Sequence, residues 1–173
     1  MISYSITKYK KIDSTIYNDW ISVHDIGKVY NGKVLTFEDY KKVEDSYVLA
    51  VLNVLDYISI KRVYVKNLFS YMDLRNSYST NVLNKPCSNA LYTNEMKDFY
   101  LNVKNNDIID LFQLEHLIRF KLREDIGGEI FVPYRFKLFI GYDYLMSVRT
   151  SKSLEGLFKT IEKLGLYIYA LST

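Results

Sequence analysis

Two histidines, one cysteine and a scatter of carboxylates are the residues here that could do chemistry. His24 and His116 each lack a second metal ligand at helical spacing. Glu115 and His116 are adjacent, so on a helix they point apart and cannot chelate as an i, i+4 pair would. His24 precedes Asp25, but adjacency does not orient an imidazole on a carboxylate. Cys87 follows Pro86 in a polar stretch with no base near it, and a nucleophilic thiol needs a base and a depressed pKa. Gly127-Gly128 lacks the flanking Lys or Ser of a phosphate loop or a nucleophile elbow. Asp107 and Asp110 lie three apart, as two acids on one helical face would, and Asp107 is read as a helix cap before it is read as half of an acid pair. These residues predict no catalytic site, no metal and no cofactor.

Elements must position whatever function remains. The chain has 173 residues and a net charge of +3, the size of one domain, so residues 1–173 are read as a single domain. Seven Gly and two Pro exclude a collagen, a flexible linker and a disordered tail. A single Cys excludes an internal disulfide and a cysteine zinc site. The start Met1-Ile2-Ser3-Tyr4 lacks a basic stretch followed by a long apolar core, so no signal peptide is expected and the cytoplasm is the expected compartment. No apolar run approaches the ~20 residues of a membrane span. Lys and Arg are spread along the chain with no basic run, unlike the clustered charge of most nucleic-acid binders. The 17 Tyr and 9 Phe are an excess; it fits a protein–protein contact surface, and it also fits the codon bias of an AT-rich genome.

The periodicity predicts a first strand over 2–9, a turn at Asn31-Gly32 and a helix from a Thr36 cap to about Ile58. Tyr40, Val43, Tyr47, Val51 and Val54 form its apolar stripe, while Glu38, Lys41, Lys42, Glu44 and Asp45 fall mostly off it. A strand over 61–66 and a short helix over 68–74 follow, then a polar loop over 75–88. Two further helices are predicted, over 94–103 and from an Asp107 cap to about Glu124, the second stopped by Gly127-Gly128. Residues 129–132 read as a strand. Residues 136–148 alternate, as one long strand or as a hairpin near Gly141, with one core face and one mixed face. A helix from Ser153 to about Lys163 and a strand over 166–171 close the chain. The order predicts an α+β fold with a mixed or mainly antiparallel sheet packed against several helices.

Two sets of segments carry a resemblance. One is Trp20-Ile21-Ser22-Val23-His24-Asp25-Ile26-Gly27-Lys28 with Leu35 to Tyr40 and Val43 to Val48. The other is Glu115, Arg119-Phe120-Lys121-Leu122-Arg123-Glu124, Gly141 to Met146 and Gly165 to Ile168. Together they resemble small immunity proteins of bacterial polymorphic-toxin systems, notably those of contact-dependent growth inhibition. The resemblance implies a non-enzymatic protein that binds the toxin domain of its cognate effector as a 1:1 heterodimer and blocks its active site or substrate surface. Such toxins are often nucleases, and their immunity proteins often present acid to a basic cleft. The charge of +3 departs from that pattern and confines any acidic mimicry to a local patch.

Candidate partner-binding residues are therefore Asp143, flanked by Tyr142 and Tyr144, then Asp107 and Asp110, and Asp73 and Arg75 at the long loop. Each has a plainer role to set beside this one: Asp143 pairing with Lys137 or Arg149, Asp107 only capping. No membrane and no direct nucleic acid enter that reading. The alternative is a nucleic-acid-binding or regulatory module built from exposed Tyr and Lys/Arg.

Overall fold

The computed structural model describes residues 1–10, 19–70, 91–141 and 143–171. Its centre is a seven-stranded sheet in the order β5-β4-β6-β7-β8-β1-β9. The strands are β1 (Ile2–Thr7), β4 (Arg62–Ser70), β5 (Ile108–Asp110), β6 (Ile126–Val132), β7 (Phe136–Ile140), β8 (Met146–Thr150) and β9 (Tyr167–Leu171). Each neighbouring pair is antiparallel, so the α+β expectation holds and the sheet is antiparallel. A small hairpin pairs β2 (Val29–Tyr30) with β3 (Lys33–Val34). Its turn uses Asn31 (φ 50°) and Gly32 (φ 76°), the two left-handed positions such a hairpin requires.

Four described helices accompany the sheet: α1 (Phe37–Tyr57), α2 (Asn94–Asn102), α3 (Leu111–Leu122) and α4 (Phe158–Lys163). Thr36 caps α1 by accepting from Asp39 N at 3.1 Å, and α1 ends where its stripe ends. Among the described residues no helix is long and apolar enough to cross a membrane.

Strand alternation separates the two faces. Val65, Ile130, Leu138, Val148 and Tyr4 form one row in register across β4, β6, β7, β8 and β1, and all are buried. The helices pack on that side. The neighbouring row points the other way, where no described element packs.

Several elements differ from the sequence reading. The helix expected from Asp107 begins at Leu111, because Ile108–Asp110 pairs with Arg62–Tyr64 as an edge strand. Asp110 is the true cap: its Oδ1 accepts from Gln113 N at 2.9 Å, and Gln113 Oε1 accepts from Asp110 N at 3.2 Å, a reciprocal capping box. Asp107 accepts from Lys104 N at 2.8 Å and closes the preceding turn. Gly127-Gly128 does not stop α3; Glu124, left-handed at φ 60°, follows its end, and both glycines lie in β6. Residues 68–70 extend β4 instead of starting a helix, and 71–74 and the expected loop over 75–88 fall outside the described residues. Residues 136–148 form the hairpin of the two alternatives, its turn bridged by Gly141 N donating to Leu145 O at 2.8 Å. The last predicted helix is shorter, a 3-10 turn at Glu155–Leu157 leading into α4.

Candidate functional site

The segments carrying the resemblance meet in the core. Trp20 lies 5.6 Å from Tyr40 and 5.2 Å from Tyr144, ring centroid to centroid. Tyr47 Oη donates to Tyr144 O at 2.6 Å. Lys8 Nζ sits 3.6 Å from the Trp20 ring centroid and donates to Asp19 Oδ2 at 2.8 Å, a cation–π contact strengthened by burial; burial lowers the Lys8 pKa, and Asp19 acts against that fall. Asp25 is buried and accepts from Ile21 N, Ser22 N and Lys28 Nζ. Burial alone would raise its pKa, but these bonds outweigh it and hold the carboxyl at about 2. Asp25 therefore fixes the turn before β2, and His24 beside it is exposed.

A second buried cluster joins α1 to α3. Glu44 is fully buried. Arg123 reaches it with Nε to Oε1 at 2.6 Å and Nη2 to Oε2 at 2.6 Å. Arg119 Nη1 reaches Glu44 Oε2 at 2.8 Å and Asp45 Oδ1 at 2.7 Å, and Nη2 reaches Glu115 Oε1 at 2.7 Å. Tyr40 Oη donates to Glu44 Oε1 at 3.0 Å, and Tyr92 Oη donates to buried Asp125. Burial disfavours the Arg119 cation, yet its bonds to Glu115, Asp45 and Glu44 outweigh that cost and raise its pKa. Glu44 and Arg123 are closed to solvent and fully partnered, while Asp45 and Glu115 lie at a half-buried rim, so the cluster is a structural tie between helices. Sequence reading placed Glu44 off the stripe. The signal that could have found it was a carboxylate at i+4 from Tyr40 and three before Tyr47, matched by Arg119 and Arg123 four apart on the other helix.

The sequence-predicted partner residues do not converge. Asp107 precedes the edge strand β5 and Asp110 is its last residue. Asp143 lies in the β7–β8 turn with φ 59°, and in sheet order β7 is separated from β5 by β4 and β6. Tyr144 is a correction. It is 2% exposed: it falls on the same side as the buried Phe136, Leu138, Ile140, Met146 and Val148, and its ring packs on Trp20, Tyr40 and Tyr47. It is a core residue and not a contact residue. Asp73 and Arg75 lie outside the described residues.

The open face of the sheet carries a run of exposed side chains. One row crosses all seven strands in register: Ile108, Tyr64, Phe131, Lys137, Arg149, Ser3 and Leu171. Ile108 is 52% exposed and Tyr64 39%. Tyr64 and Phe131 stack, with centroids 5.7 Å apart and 26° between planes. The parallel row holds Lys66, Glu129, Phe139, Ser147, Ser5 and Tyr169, and Phe139 is 60% exposed. Glu129 bridges the rows by accepting from Lys137 Nζ at 2.9 Å and Asn67 Nδ2 at 3.0 Å. Aromatic and Arg side chains at the middle of a broad face are the residue types that carry interface energy. The signal in the sequence was the mixed face of 136–148, which holds Lys137, Phe139 and Arg149.

Among the described residues no group of three His, Cys, Asp or Glu could hold a metal ion. No family model matches the chain, and no curated protein or solved structure matches it significantly.

Proposed function

We propose that this chain is a bacterial cytoplasmic immunity protein, a stoichiometric inhibitor that docks a cognate toxin domain on the open face of its sheet. The observation that carries the reading is the row from Ile108 to Leu171, which presents aromatic, aliphatic and cationic side chains along a face no described element covers. Six strand spacings of ~4.8 Å make that face roughly 30 Å wide, the scale of a specific protein interface. The toxin binds, its working surface is occluded, and nothing turns over.

The test is to express the C-terminal domain of the protein encoded just upstream, with and without this chain. Toxicity relieved by this chain, with a tight complex near 1:1 in calorimetry, is the expected result. A harmless neighbour, or one that never binds, removes the reading.

The stacked Tyr64–Phe131 pair beside Lys66, Lys137 and Arg149 favours a second reading, a platform for single-stranded nucleic acid. Two features weigh against it. Each ring already spends one face on the other, and Glu129 stands among the cations. Binding of a single-stranded oligonucleotide across a salt series separates the two readings.

A further inference from the structure

We infer that the partner surface docked on this sheet is acidic, so that this chain inhibits from a site other than a nucleic-acid-binding cleft. The inference rests on the toxin-binding reading and deepens it.

The charges of the open face carry it. Arg62, Lys66, Lys137 and Arg149 all stand on that face and are exposed. Arg62 is opposite Asp110 in the register of β4 and β5, and Lys137 is paired with Glu129. Lys66 on β4 stands opposite that same Glu129, so one carboxylate serves two lysines. Arg149 on β8 has only Ser3 and Lys137 across from it. Among the described residues of this face four cations meet two carboxylates, and the excess lies at Lys66 and Arg149. They flank the aromatic centre formed by Tyr64, Phe131 and Phe139, three strand spacings or roughly 14 Å apart. A partner that seats an apolar patch on those rings therefore meets Lys66 and Arg149 on opposite sides, and carboxylates there satisfy both.

The same charges decide against other occupants. A basic nuclease cleft would bring cations onto Lys66 and Arg149, and like charges brought together across an interface disfavour the complex. A second copy of this chain would bring the same two cations. A nucleic acid would bring phosphates past Glu129.

The test uses the purified upstream C-terminal domain and the full-length chain as wild type, Lys66→Glu, Arg149→Glu and the milder Lys66→Gln/Arg149→Gln. Both positions of substitution are exposed, and equal melting temperatures confirm that each variant folds. The inference expects wild-type association to slow as salt rises, each charge reversal to weaken binding about tenfold or more, and the neutral double variant to lose the salt dependence while still binding. If the toxin domain binds wild type and all variants alike, or binds the Glu variants more tightly, the inference is overturned and the immunity reading stands. If the domain does not bind at all, both fail. If the variants instead lose binding to a single-stranded oligonucleotide, or alter self-association by light scattering, the occupant is nucleic acid or a second copy and the acidic-protein assignment is overturned.

Discussion

Arg123 grips Glu44 in a bidentate pair, Nε to Oε1 and Nη2 to Oε2, both at 2.6 Å, with Glu44 fully out of solvent. Desolvating two charges costs several kcal/mol each, and only near-ideal geometry with further hydrogen bonds offsets it. Here Tyr40 and Arg119 fill the remaining capacity of Glu44. Such a tie specifies how α1 seats on α3 more than it adds net stability.

Breaking the pair on one side should therefore be costly. Glu44→Gln leaves Arg123 buried without its counter-charge, and a loss of about 3–5 kcal/mol in urea unfolding is expected. Replacing both partners, as Glu44→Leu with Arg123→Met, should cost clearly less than the two single losses added, because the uncompensated charge is gone. A loss below about 1 kcal/mol for Glu44→Gln would show that water or a neighbour takes over the role of the carboxylate.

His116 gives the fold an acid limb. It is 8% exposed, packed edge-on to Phe112 at 4.7 Å and near Phe99 at 5.9 Å, and within the described residues neither ring nitrogen has a hydrogen-bond partner. Burial lowers its pKa; Glu115 and Glu95 act against that, Arg119 and Arg123 with it. The unfolded chain takes up a proton near its ordinary pKa of ~6.5, while the folded chain resists until lower pH. Stability contributed by the neutral ring is therefore complete above ~6.5 and declines as pH falls below it. His116→Leu should stabilise the protein by about 1 kcal/mol by removing unsatisfied buried nitrogens and should flatten stability between pH 7 and pH 5. An unchanged pH slope in the variant would contradict this.

Lys121 is the basic counterpart. It is 6% exposed and donates from Nζ to Gly128 O at 2.7 Å, and burial lowers its pKa to about 8. Between that value and the ordinary ~10.4 the unfolded chain holds the proton and the folded chain does not, so stability rises with pH through this window. Below pH 8 the folded chain carries the full cost of the buried cation. Lys121→Met should stabilise the protein at pH 7 by up to about 3 kcal/mol, with the gain shrinking towards pH 10. Thermal melts of both proteins at pH 7 and pH 9.5 check the trend; a gain that grows with pH would refute it.

What the sequence made legible follows from the range of the interactions. Thr36, the Tyr40–Tyr47 stripe and Asn31-Gly32 act within one turn of chain, and each does in the structure what its pattern predicts. Asp107 reads as a helix cap in the sequence because a cap and an edge strand compete for the same residues. Arg62–Tyr64, more than forty positions away, decides that competition in favour of the strand. Glu44 looked like a surface charge because its partners, Arg119 and Arg123, lie on another helix. Tyr144 shares the alternation of the buried Phe136, Leu138 and Met146, so its burial was legible, and its place beside Asp143 in the chain does not make it a contact residue. The open face was visible only as the mixed alternation of 136–148, since the row through Tyr64 and Phe131 needs a sheet order no local pattern contains.

The two glycines of β6 should respond differently to a methyl group. A Cβ on Gly127 would lie 2.1 Å from Phe69 Cζ, but Phe69 is 52% exposed and its ring can swing away. Gly128 sits at φ +128°, and its Cβ would meet the backbone carbonyls of Asn67 and Lys66 at 3.0 Å. Those residues form the irregular stretch of β4, where register shifts between Lys66 and Phe69 and Asn67 is itself left-handed at φ 53°. Backbone on both sides must move to admit a methyl there, and an L residue is strained at that φ whatever the space. Gly128→Ala should therefore cost about 2–3 kcal/mol, and Gly127→Ala about 1 kcal/mol or less. Parallel urea titrations of the two variants measure the difference. Equal losses would mean that the Phe69 ring is held over Gly127 as firmly as the β4 backbone is held beside Gly128.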